Sequence, residues 1–404
     1  TAGVLRHRCH RFVHTMPPQT EDECSTDCSL PTQSLPVEQQ AEGDQCKTHK
    51  RKYFFTDASK VDLRRLALAS GEERRKIIDA ASVPMDSCPS PNLTSVTPMP
   101  VWEEAAVVIL FFCCWFVLAG WPLLALPLWI IYGQWRPLVA WVVTFITLAG
   151  FPMKKNGSPV PSPVLISLFR YFSFKVVWTE ESRDKAELSP YIGFMVPHGA
   201  FPVAGLLSIP LINLTVRGDF IGAAASVVLH FPILNMMKLL GMADVSRASL
   251  VHHIKTRRAS VGVMADGIAG IFNCWSKEEV LFIKDRKGLA KLAIQLGVPV
   301  CPVMAFGNTK CFRVWYDRYG YLERLSRAIR VSVFFLWGRF LLPIPFRQPL
   351  VIICAPPVHP GNATETPTQH HIDTVHEQVL GELQSMFEEH KAAYGWAHKQ
   401  LIFK

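Results

Sequence analysis

The stretch that decides the fold is Tyr191-Ile-Gly-Phe-Met-Val-Pro-His-Gly-Ala200. Its first half is apolar and strand-like and stops at Pro197, and a second apolar run follows at 201–212. This order predicts a strand, a turn and a helix, a corner that places polar side chains at the mouth of an α/β site. Histidine takes and returns a proton near neutral pH, so His198 is a candidate general base. A capping histidine or a packed core histidine is the alternative that this stretch alone leaves open.

Strands and helices alternate from this corner to the end of the chain. Strand-like runs lie at 174–178, 192–196, 260–265, 298–306 and 350–355, and helix-like patterns lie at 287–296 and 372–387. The helix at 287–296 ends at Gly297, because glycine is the usual residue after a helix, and it leads straight into the next strand. This alternation predicts an α/β domain with a central, mostly parallel sheet over residues 154–404.

Residues 1–100 differ in composition from this domain. They are rich in Ser, Thr, Pro, Gln and charge, and 15–44 holds almost no apolar residue that could form a core. We therefore predict a largely disordered N-terminal region. The segment 61–81 is charged and amphipathic, which indicates a short helix interrupted at Gly71. Cys24 and Cys28 match no common zinc-finger spacing, so no metal site is predicted.

An apolar segment at 101–153 separates the two regions. No charged residue occurs from Ala105 to Trp135, and a second uncharged run covers 138–153. About 20 apolar residues cross a bilayer, so the segment predicts a transmembrane helical hairpin that anchors the globular domain. Lys154-Lys155 favour a cytoplasmic exit. A helical hairpin in the core of a soluble protein is the alternative. The later apolar stretch 331–346 carries Arg339 and two prolines, which favour a membrane-surface or pocket-lining segment over a span.

The bulk composition excludes several functions. The chain of 404 residues is 49% hydrophobic and carries a net charge of +9. That charge suits an anionic lipid surface or a phosphate-rich substrate, whereas the dispersed basic residues argue against a nucleic acid. A Gly-x-Ser-x-Gly elbow, a P-loop and a Gly-x-Gly-x-x-Gly motif are all missing from the sequence, so hydrolase, kinase and dinucleotide-binding functions lack their usual motifs. Eleven cysteines without a framework favour a reduced, cytosol-facing domain.

Three short polar motifs follow the predicted strands or begin a helix. They are His198-Gly199, Asp266-Gly267 and Arg286-Lys287-Gly288. A histidine base, a carboxylate that orients it and a basic helix start would serve transfer from a phosphate-bearing donor to a hydroxyl, with Lys291 as a further phosphate ligand. The backbone N–H of Gly199 is a candidate oxyanion donor. The alternatives are solvated basic residues and an Asp-Gly turn.

From about Trp141 onward the chain resembles the type-2 diacylglycerol acyltransferase family. The similar motifs come in the family's order. They are Arg170-Tyr-Phe-Ser-Phe-Lys175, Val196-Pro-His-Gly199, Phe231-Pro-Ile-Leu234, Val245-Ser-Arg247, Arg286-Lys-Gly-Leu-Ala-Lys-Leu-Ala293, Pro302-Val-Met-Ala-Phe-Gly307 and Phe387-Glu-Glu-His-Lys391. One such block is weak evidence for a family, whereas an ordered set of blocks over most of the domain is specific evidence.

The resemblance implies an enzyme of the endoplasmic-reticulum membrane, with its domain facing the cytosol, that moves an acyl group from acyl-CoA to a lipid hydroxyl. It implies no cofactor beyond acyl-CoA as co-substrate, a catalytic His198, and diacylglycerol as acceptor with triacylglycerol as product. Monoacylglycerol and long-chain alcohols stay open as acceptors, and so does an inactive lipid-binding or scaffold protein. A lipid-droplet location and a homo-oligomer also stay open.

The sequence departs from the family pattern at two positions. The first histidine of the family's His-Pro-His-Gly block is Val196 here. The family's Gly-Gly-x-x-Glu block falls on Asp266-Gly-Ile-Ala-Gly270, so the glutamate position holds Gly270. Whether Asp266 replaces that glutamate is not readable from the sequence.

Overall fold

The computed structural model describes residues 51–85, 92–115, 121–150, 163–185, 190–215, 219–230, 236–272, 277–315, 317–329 and 332–404. The segment predicted to be disordered at 15–44 lies outside these residues, and so do Cys24 and Cys28.

The described strands are β1 (Tyr53–Asp57), β2 (Ser82–Pro84), β3 (Lys175–Thr179), β4 (Ile192–Val196), β5 (Phe220–Ala224), β6 (Met242–Asp244), β7 (Ser260–Met264), β8 (Glu279–Leu281), β9 (Val300–Phe306), β10 (Arg313–Val314), β11 (Leu336–Trp337), β12 (Val351–Cys354) and β13 (Leu401–Phe403). Each of the five strands predicted from the sequence is present, within about two residues of its predicted bounds. The predicted strands therefore form as expected.

The described α-helices are α1 (Leu63–Leu68), α2 (Gly71–Ala81), α3 (Val101–Phe112), α4 (Trp121–Ile131), α5 (Trp135–Gly150), α6 (Pro163–Tyr171), α7 (Glu180–Lys185), α8 (Val203–Thr215), α9 (Ser226–His230), α10 (Arg247–Lys255), α11 (Gly267–Phe272), α12 (Gly288–Leu296), α13 (Tyr321–Ile329) and α14 (Gln369–His390). Short 3₁₀ turns lie at Met236–Leu240 and Asn308–Lys310. The predicted interruption near Gly71 is confirmed, because Ser70 caps α2 there by accepting the N–H of Glu73.

Nine of the described strands form one sheet in the order β2-β1-β3-β12-β9-β4-β7-β5-β6. The block from β9 to β6 is parallel throughout, and β3 runs parallel to β12. The antiparallel pairs are β1 with β2, β1 with β3, and β12 with β9. The prediction of an α/β fold with a mostly parallel sheet is confirmed.

The two faces of the sheet bury separate cores, because successive side chains of a strand point to opposite faces. On β4, Phe194 and Val196 belong to one core, which α14 covers with Val379 and Leu383. Met195 points to the other face and joins the core covered by α6 and α8. Burial on both faces explains why β4 reads as a continuous apolar run in the sequence.

The N-terminal limit of the ordered domain is earlier than predicted. The prediction assigned residues 1–100 to a largely disordered region, but β1 and β2 extend the central sheet beyond β3. Tyr53 pairs with Thr179 and Phe54 with Trp178, more than 120 residues later in the chain. For β1 and β2, on either side of the predicted helical segment 61–81, the prediction of disorder is wrong, because partners this distant leave no local signal in the sequence.

The apolar segment at 101–150 forms helices α3, α4 and α5, and α4 packs against α5. Among the residues that the structure describes, no helix combines the length and the apolar character that a membrane crossing requires. The transmembrane hairpin at 101–153 therefore stays a prediction.

Candidate functional site

Three neighbouring strands end at one edge of the sheet. Strand β4 lies between β7 and β9 and is parallel to both, with Met195 paired to Met264 and Val196 paired to Met304. Because the carboxyl ends of parallel strands meet at the same edge, the residues that follow them come together there. His198 follows β4, Asp266 follows β7 and Asn308 follows β9.

The carboxylate of Asp266 holds the backbone of His198. Its two oxygens each accept the backbone N–H of His198 at 2.9 Å. Asp266 is fully buried, and this burial raises the pKa of its carboxyl, while the nearby imidazole and the Arg286 guanidinium act in the opposite direction. The sequence analysis expected this carboxylate to orient the imidazole ring. The hydrogen bonds place it on the main chain of the same residue instead.

The imidazole of His198 is oriented by the residue that follows it. Nδ1 of His198 lies 2.9 Å from the carbonyl oxygen of Gly199. A carbonyl can only accept, so in the neutral form of the ring this contact selects the tautomer with its proton on Nδ1 and its lone pair on Nε2. In the described part of the chain Nε2 makes no hydrogen bond, and His198 is partly exposed. In that tautomer the ring presents Nε2 as an available acceptor nitrogen.

Gly199 is required by the geometry of this turn. Its φ is +64°, and a Cβ on it would lie 2.9 Å from Nδ2 of Asn308 and 3.1 Å from the Asn308 carbonyl oxygen. A side chain would thus be both strained and in collision with backbone. The backbone N–H groups of Gly199 and Ala200 make no hydrogen bond to any residue that the structure describes. They are available as donors at the same edge.

Asn308 is a site residue that sequence reasoning missed. Its Nδ2 donates to the carbonyl oxygens of Pro197, at 3.2 Å, and of His198, at 2.6 Å. Its Oδ1 accepts the N–H of Ala204 in the first turn of α8 at 3.1 Å. With 1% of its surface exposed, this one amide joins both sides of the histidine turn. The sequence feature that could have identified Asn308 is its position directly after the buried strand β9 and Gly307.

Arg286 reaches the same edge from the loop before α12. Its Nη1 donates to the carbonyl oxygen of Ala265 at 3.1 Å. A Cβ on Gly267, whose φ is +50°, would lie 2.8 Å from that Nη1. The guanidinium therefore packs closely on the Asp266 loop, and the positive φ of residue 267 favours glycine there. Of the residues predicted to bind phosphate, Arg286 is the one that the structure brings to the edge that carries His198.

The other predicted phosphate ligands lie along the start of α12. Lys287 forms an ion pair of 2.8 Å with Asp373 of α14, and this pairing raises the pKa of Lys287 and lowers that of Asp373. Gly288 has open space around its Cα, so there is no steric reason for glycine at that position. Lys291 is exposed. Lys287 and Lys291 are thus cations at the protein surface, and Lys287 is already paired with Asp373.

The glutamate position of the family motif is closed to a side chain. A Cβ on Gly270 would lie 2.3 Å from Oδ2 of Asp266 and 2.8 Å from its Cγ. The carboxylate of Asp266 therefore occupies the space in which a side chain at 270 would begin. A carboxylate is present next to the histidine turn, and it comes from residue 266 instead of residue 270.

Aromatic side chains connect this edge to the apolar segment. The ring of Phe201, three residues after His198, lies 6.0 Å from Trp115 at the end of the α3 segment and 6.4 Å from Phe312. Both pairs are edge-to-face contacts of the kind that buries aromatic surface. The apolar segment thus packs against the turn that carries the candidate base.

Comparison with known proteins gives the family of the chain. A family model described as Diacylglycerol acyltransferase matches residues 163–404, which is more than half of the chain. The chain belongs to this family. The matched region begins at α6 and contains β3 to β13, so it includes the whole histidine edge. The sequence-based assignment to the family is confirmed, and with it the prediction of an acyltransferase enzyme.

The curated relatives are distant. The chain is 25% identical over 298 residues to Diacylglycerol O-acyltransferase 1 of Eremothecium gossypii, covering 69% of this chain and 64% of that protein. It is 23% identical over 314 residues to Diacylglycerol O-acyltransferase 2-like protein 6 of Bos taurus, covering 69% of this chain and 89% of that protein. It is 28% identical over 177 residues to 2-acylglycerol O-acyltransferase 1 of Bos taurus, covering 41% of this chain and 52% of that protein. The chain thus spans less than two thirds of the first and third of these family members.

Proposed function

We propose that the chain is an acyl-CoA:diacylglycerol O-acyltransferase that forms triacylglycerol, with His198 as the general base. One observation carries the proposal. The Gly199 carbonyl keeps the proton on Nδ1 of His198, and this leaves Nε2 as a basic nitrogen at the carboxyl edge of the parallel strands. Membership of the acyltransferase family supplies the reaction class.

The proposed reaction is a direct transfer. Nε2 of His198 removes the proton of the acceptor hydroxyl while that oxygen attacks the thioester carbonyl carbon of acyl-CoA. The new C–O bond forms, the C–S bond breaks, and the leaving thiolate takes the proton back from the imidazolium. The N–H groups of Gly199 and Ala200 would stabilise the oxyanion, since they have no other partner among the described residues.

The roles of the surrounding polar residues follow from their contacts. Asp266 and Asn308 hold the main chain of the histidine turn, so their part is positioning. We assign the CoA phosphates to Arg286, Lys287 and Lys291, with the open start of α12 at Gly288 beside them. Lys287 would exchange its ion pair with Asp373 for a phosphate.

The acceptor lipid would reach His198 from the apolar segment. We place that segment, 101–153, in the endoplasmic-reticulum membrane with the domain on the cytosolic side. The contact of Trp115 with Phe201 supports this arrangement, because it joins the apolar segment to the catalytic turn. A diacylglycerol dissolved in the bilayer would then approach the base without leaving an apolar environment.

The test is an assay of the full chain in microsomes with labelled acyl-CoA and a panel of acceptors: diacylglycerol, monoacylglycerol, hexadecanol and lysophosphatidate. We expect diacylglycerol to be the preferred acceptor and H198A to lower the rate about 10²–10⁴-fold. The matched control is H398A, since His398 is exposed and lies outside the site. Normal triacylglycerol formation by H198A would refute the assignment of the base.

The panel also decides between the open alternatives. A preference for monoacylglycerol or hexadecanol would make the chain a monoacylglycerol or wax-alcohol acyltransferase with the same base. Binding of oleoyl-CoA by the purified protein without turnover on any acceptor would favour a lipid-binding or scaffold protein. The observation that supports a lipid-binding or scaffold protein is the replacement of the family's first histidine by Val196.

A further inference from the structure

The turn after β11 has an unusual backbone. The N–H of Leu342 donates to the carbonyl oxygen of Arg339 at 3.0 Å, and the N–H of Arg339 donates to Ile344 at 2.8 Å. Between them Phe340 and Leu341 both have a φ of +59°. Two consecutive central residues with positive φ define a turn that chains usually build from Asn and Gly. Here two large apolar residues occupy it.

The side chains of this turn are exposed to solvent. Phe340 is 68% exposed and Leu341 is 83% exposed. Ordinary folding physics favours neither feature, because the conformation is strained for both residues and their apolar surface is not buried. Backbone strain that the fold retains is a reason to look for a function at that position.

A second exposed apolar surface lies on helix α13, which precedes β11 in the chain. Tyr321, Leu325 and Ile329 are spaced four residues apart, so they form one stripe along the helix, and each is at least 46% exposed. Arg324 and Arg327 lie between them in the sequence. An apolar stripe with arginines beside it is the pattern of a helix that lies in a membrane interface.

The stretch that contains these residues has a positive net charge. Residues 313–347 contain seven arginines and two acidic residues, and thus carry a net charge of +5 within a chain whose total is +9. Arg339 lies over the ring of Phe340 at 5.2 Å, and Arg318 lies over Tyr319 at 5.7 Å. Arginines that accompany exposed aromatic rings suit a surface of anionic lipid headgroups.

Ion pairs connect the turn to the apolar segment. Arg339 pairs with Glu104 in the first turn of α3 at 2.6 Å, and Arg347 pairs with the other oxygen of Glu104 at 2.8 Å. Val101 and Trp102 beside that glutamate are 85% and 72% exposed. The exposed surface is therefore continuous with the start of the segment that we place in the membrane.

The same surface lies close to the catalytic edge. Helix α11, which begins directly after Asp266, packs against α13. On the same side the ring of Phe272 lies 6.3 Å from that of Phe334. Contact of α13 with a bilayer would therefore bring the histidine edge to the depth at which a lipid hydroxyl is found.

We propose that the turn at 339–342 and the outer stripe of α13 form a second, monotopic membrane-docking surface, in which Phe340 and Leu341 insert into the interface of an anionic leaflet. The proposal rests on the proposed function for the membrane location of the chain and does not depend on catalysis. Insertion buries the two apolar side chains, and that burial offsets the strain of their backbone.

The experiment is photolabelling of the full chain in vesicles of phosphatidylcholine and phosphatidylserine that contain a phosphatidylcholine with a diazirine on its acyl chain. Trypsin cuts after Arg339 and Arg347, so Phe340 and Leu341 appear in the peptide 340–347. The matched control is the peptide 66–74, which contains Leu68 of helix α1, a comparably exposed apolar residue with 89% of its surface accessible. We expect lipid adducts on 340–347 at least tenfold above those on 66–74.

A double variant separates docking from folding. Because Asn and Gly suit positive φ, F340N/L341G should keep or raise the melting temperature of the detergent-solubilised protein. The same variant should lose most of the lipid adducts on the peptide 319–324, which contains Tyr321. A purely structural role for the two residues would instead lower the melting temperature and leave the adducts on 319–324 unchanged, and that result would overturn the proposal.

The remaining outcomes are also decisive. Equal labelling of 340–347 and 66–74, or protein-to-protein cross-links at 340–347 without lipid adducts, would mean that a bilayer does not cover this surface. The H198A variant should be labelled like the wild type, since docking does not need the base. Labelling without turnover on any acceptor would therefore refute the proposed function alone, and turnover without labelling would refute the docking surface alone.

Discussion

The carboxylate of Asp266 accepts the backbone N–H of His198 with both oxygens, and it fills the space that a side chain at residue 270 would need. The family motif that residues 266–270 resemble has a glycine at the position of Asp266 and a glutamate at the position of Gly270. One carboxylate beside the histidine turn thus has two possible origins in the sequence, and they exclude each other sterically.

The first prediction follows from this exclusion. D266G leaves the buried N–H of His198 without its acceptor, which costs about 1–3 kcal/mol and should lower kcat about 10- to 100-fold. G270E alone should be as impaired, because its Cβ displaces the Asp266 carboxylate. The exchange D266G/G270E should recover activity to within about tenfold of the wild type. Steady-state assays measure this, and a double variant no better than D266G would show that the two carboxylates are not equivalent.

The second prediction concerns the amide of Asn308. N308D retains the oxygen that accepts the N–H of Ala204 but replaces the donor to Pro197 and His198 with an acceptor. Because the turn loses two hydrogen bonds, we expect kcat to fall about 10- to 100-fold while KM for acyl-CoA changes little. The control is N362D, which adds the same charge at an exposed residue. An unchanged kcat would mean that the turn holds its shape without this amide.

The third prediction concerns the buried ion pair of Glu279 and Lys399. Both side chains are more than nine-tenths buried, and Glu279 also accepts a hydrogen bond from Thr309, next to Asn308. K399M leaves a buried carboxylate unpaired, at a cost of about 3–5 kcal/mol, or a melting temperature roughly 4–7 °C lower.

Two further variants separate the ion pair from general effects of losing a lysine. K399M/E279M should recover part of the stability, because the unpaired charge is gone. K76M breaks an exposed pair with Glu72 and should cost about 0.5 kcal/mol or less. Equal melting temperatures for K399M and K76M in calorimetry would contradict the expectation.

The fourth prediction is a pH dependence of stability. His390 is buried, with its Nδ1 bonded to the Met386 carbonyl and its ring 4.6 Å from that of Tyr53, and burial lowers its pKa. The unfolded chain takes up a proton near pH 6.5 that the folded chain excludes. The neutral ring therefore contributes full stability above about pH 6.5, and this contribution is lost as the pH falls towards the lower folded pKa.

The variant H390F keeps the aromatic contact and removes the titration. Below about pH 6.5 its free energy of unfolding should fall less steeply than that of the wild type, by up to about 1.4 kcal/mol per pH unit. Denaturant unfolding at several pH values between 5 and 7.5 measures the two slopes. Parallel slopes would assign the acid sensitivity to other groups, among which buried His376 also has a lowered pKa.

Much of the fold could be predicted because its signals are local. The strands at 192–196, 260–265 and 298–306 are buried on both faces, so each reads as an apolar run that ends at a polar residue or a glycine. His198 and Asp266 could be proposed as site residues for the same reason. Strand β1 was missed because Phe54 and its partner Trp178 are far apart in the chain, and a single short strand without a neighbour has no distinctive pattern.

The amino-acid sequence by itself determined the five strands with apolar runs, the turn at His198 and the family, because periodicity and turn chemistry act over a few residues. The tertiary structure alone decided which groups meet at that turn. The order of the strands placed β4 between β7 and β9, and this brought the carboxylate of Asp266 and the amide of Asn308 onto the main chain of His198. It also decided that Phe340 and Leu341 stay exposed on a strained turn, since exposure depends on what the rest of the chain leaves uncovered.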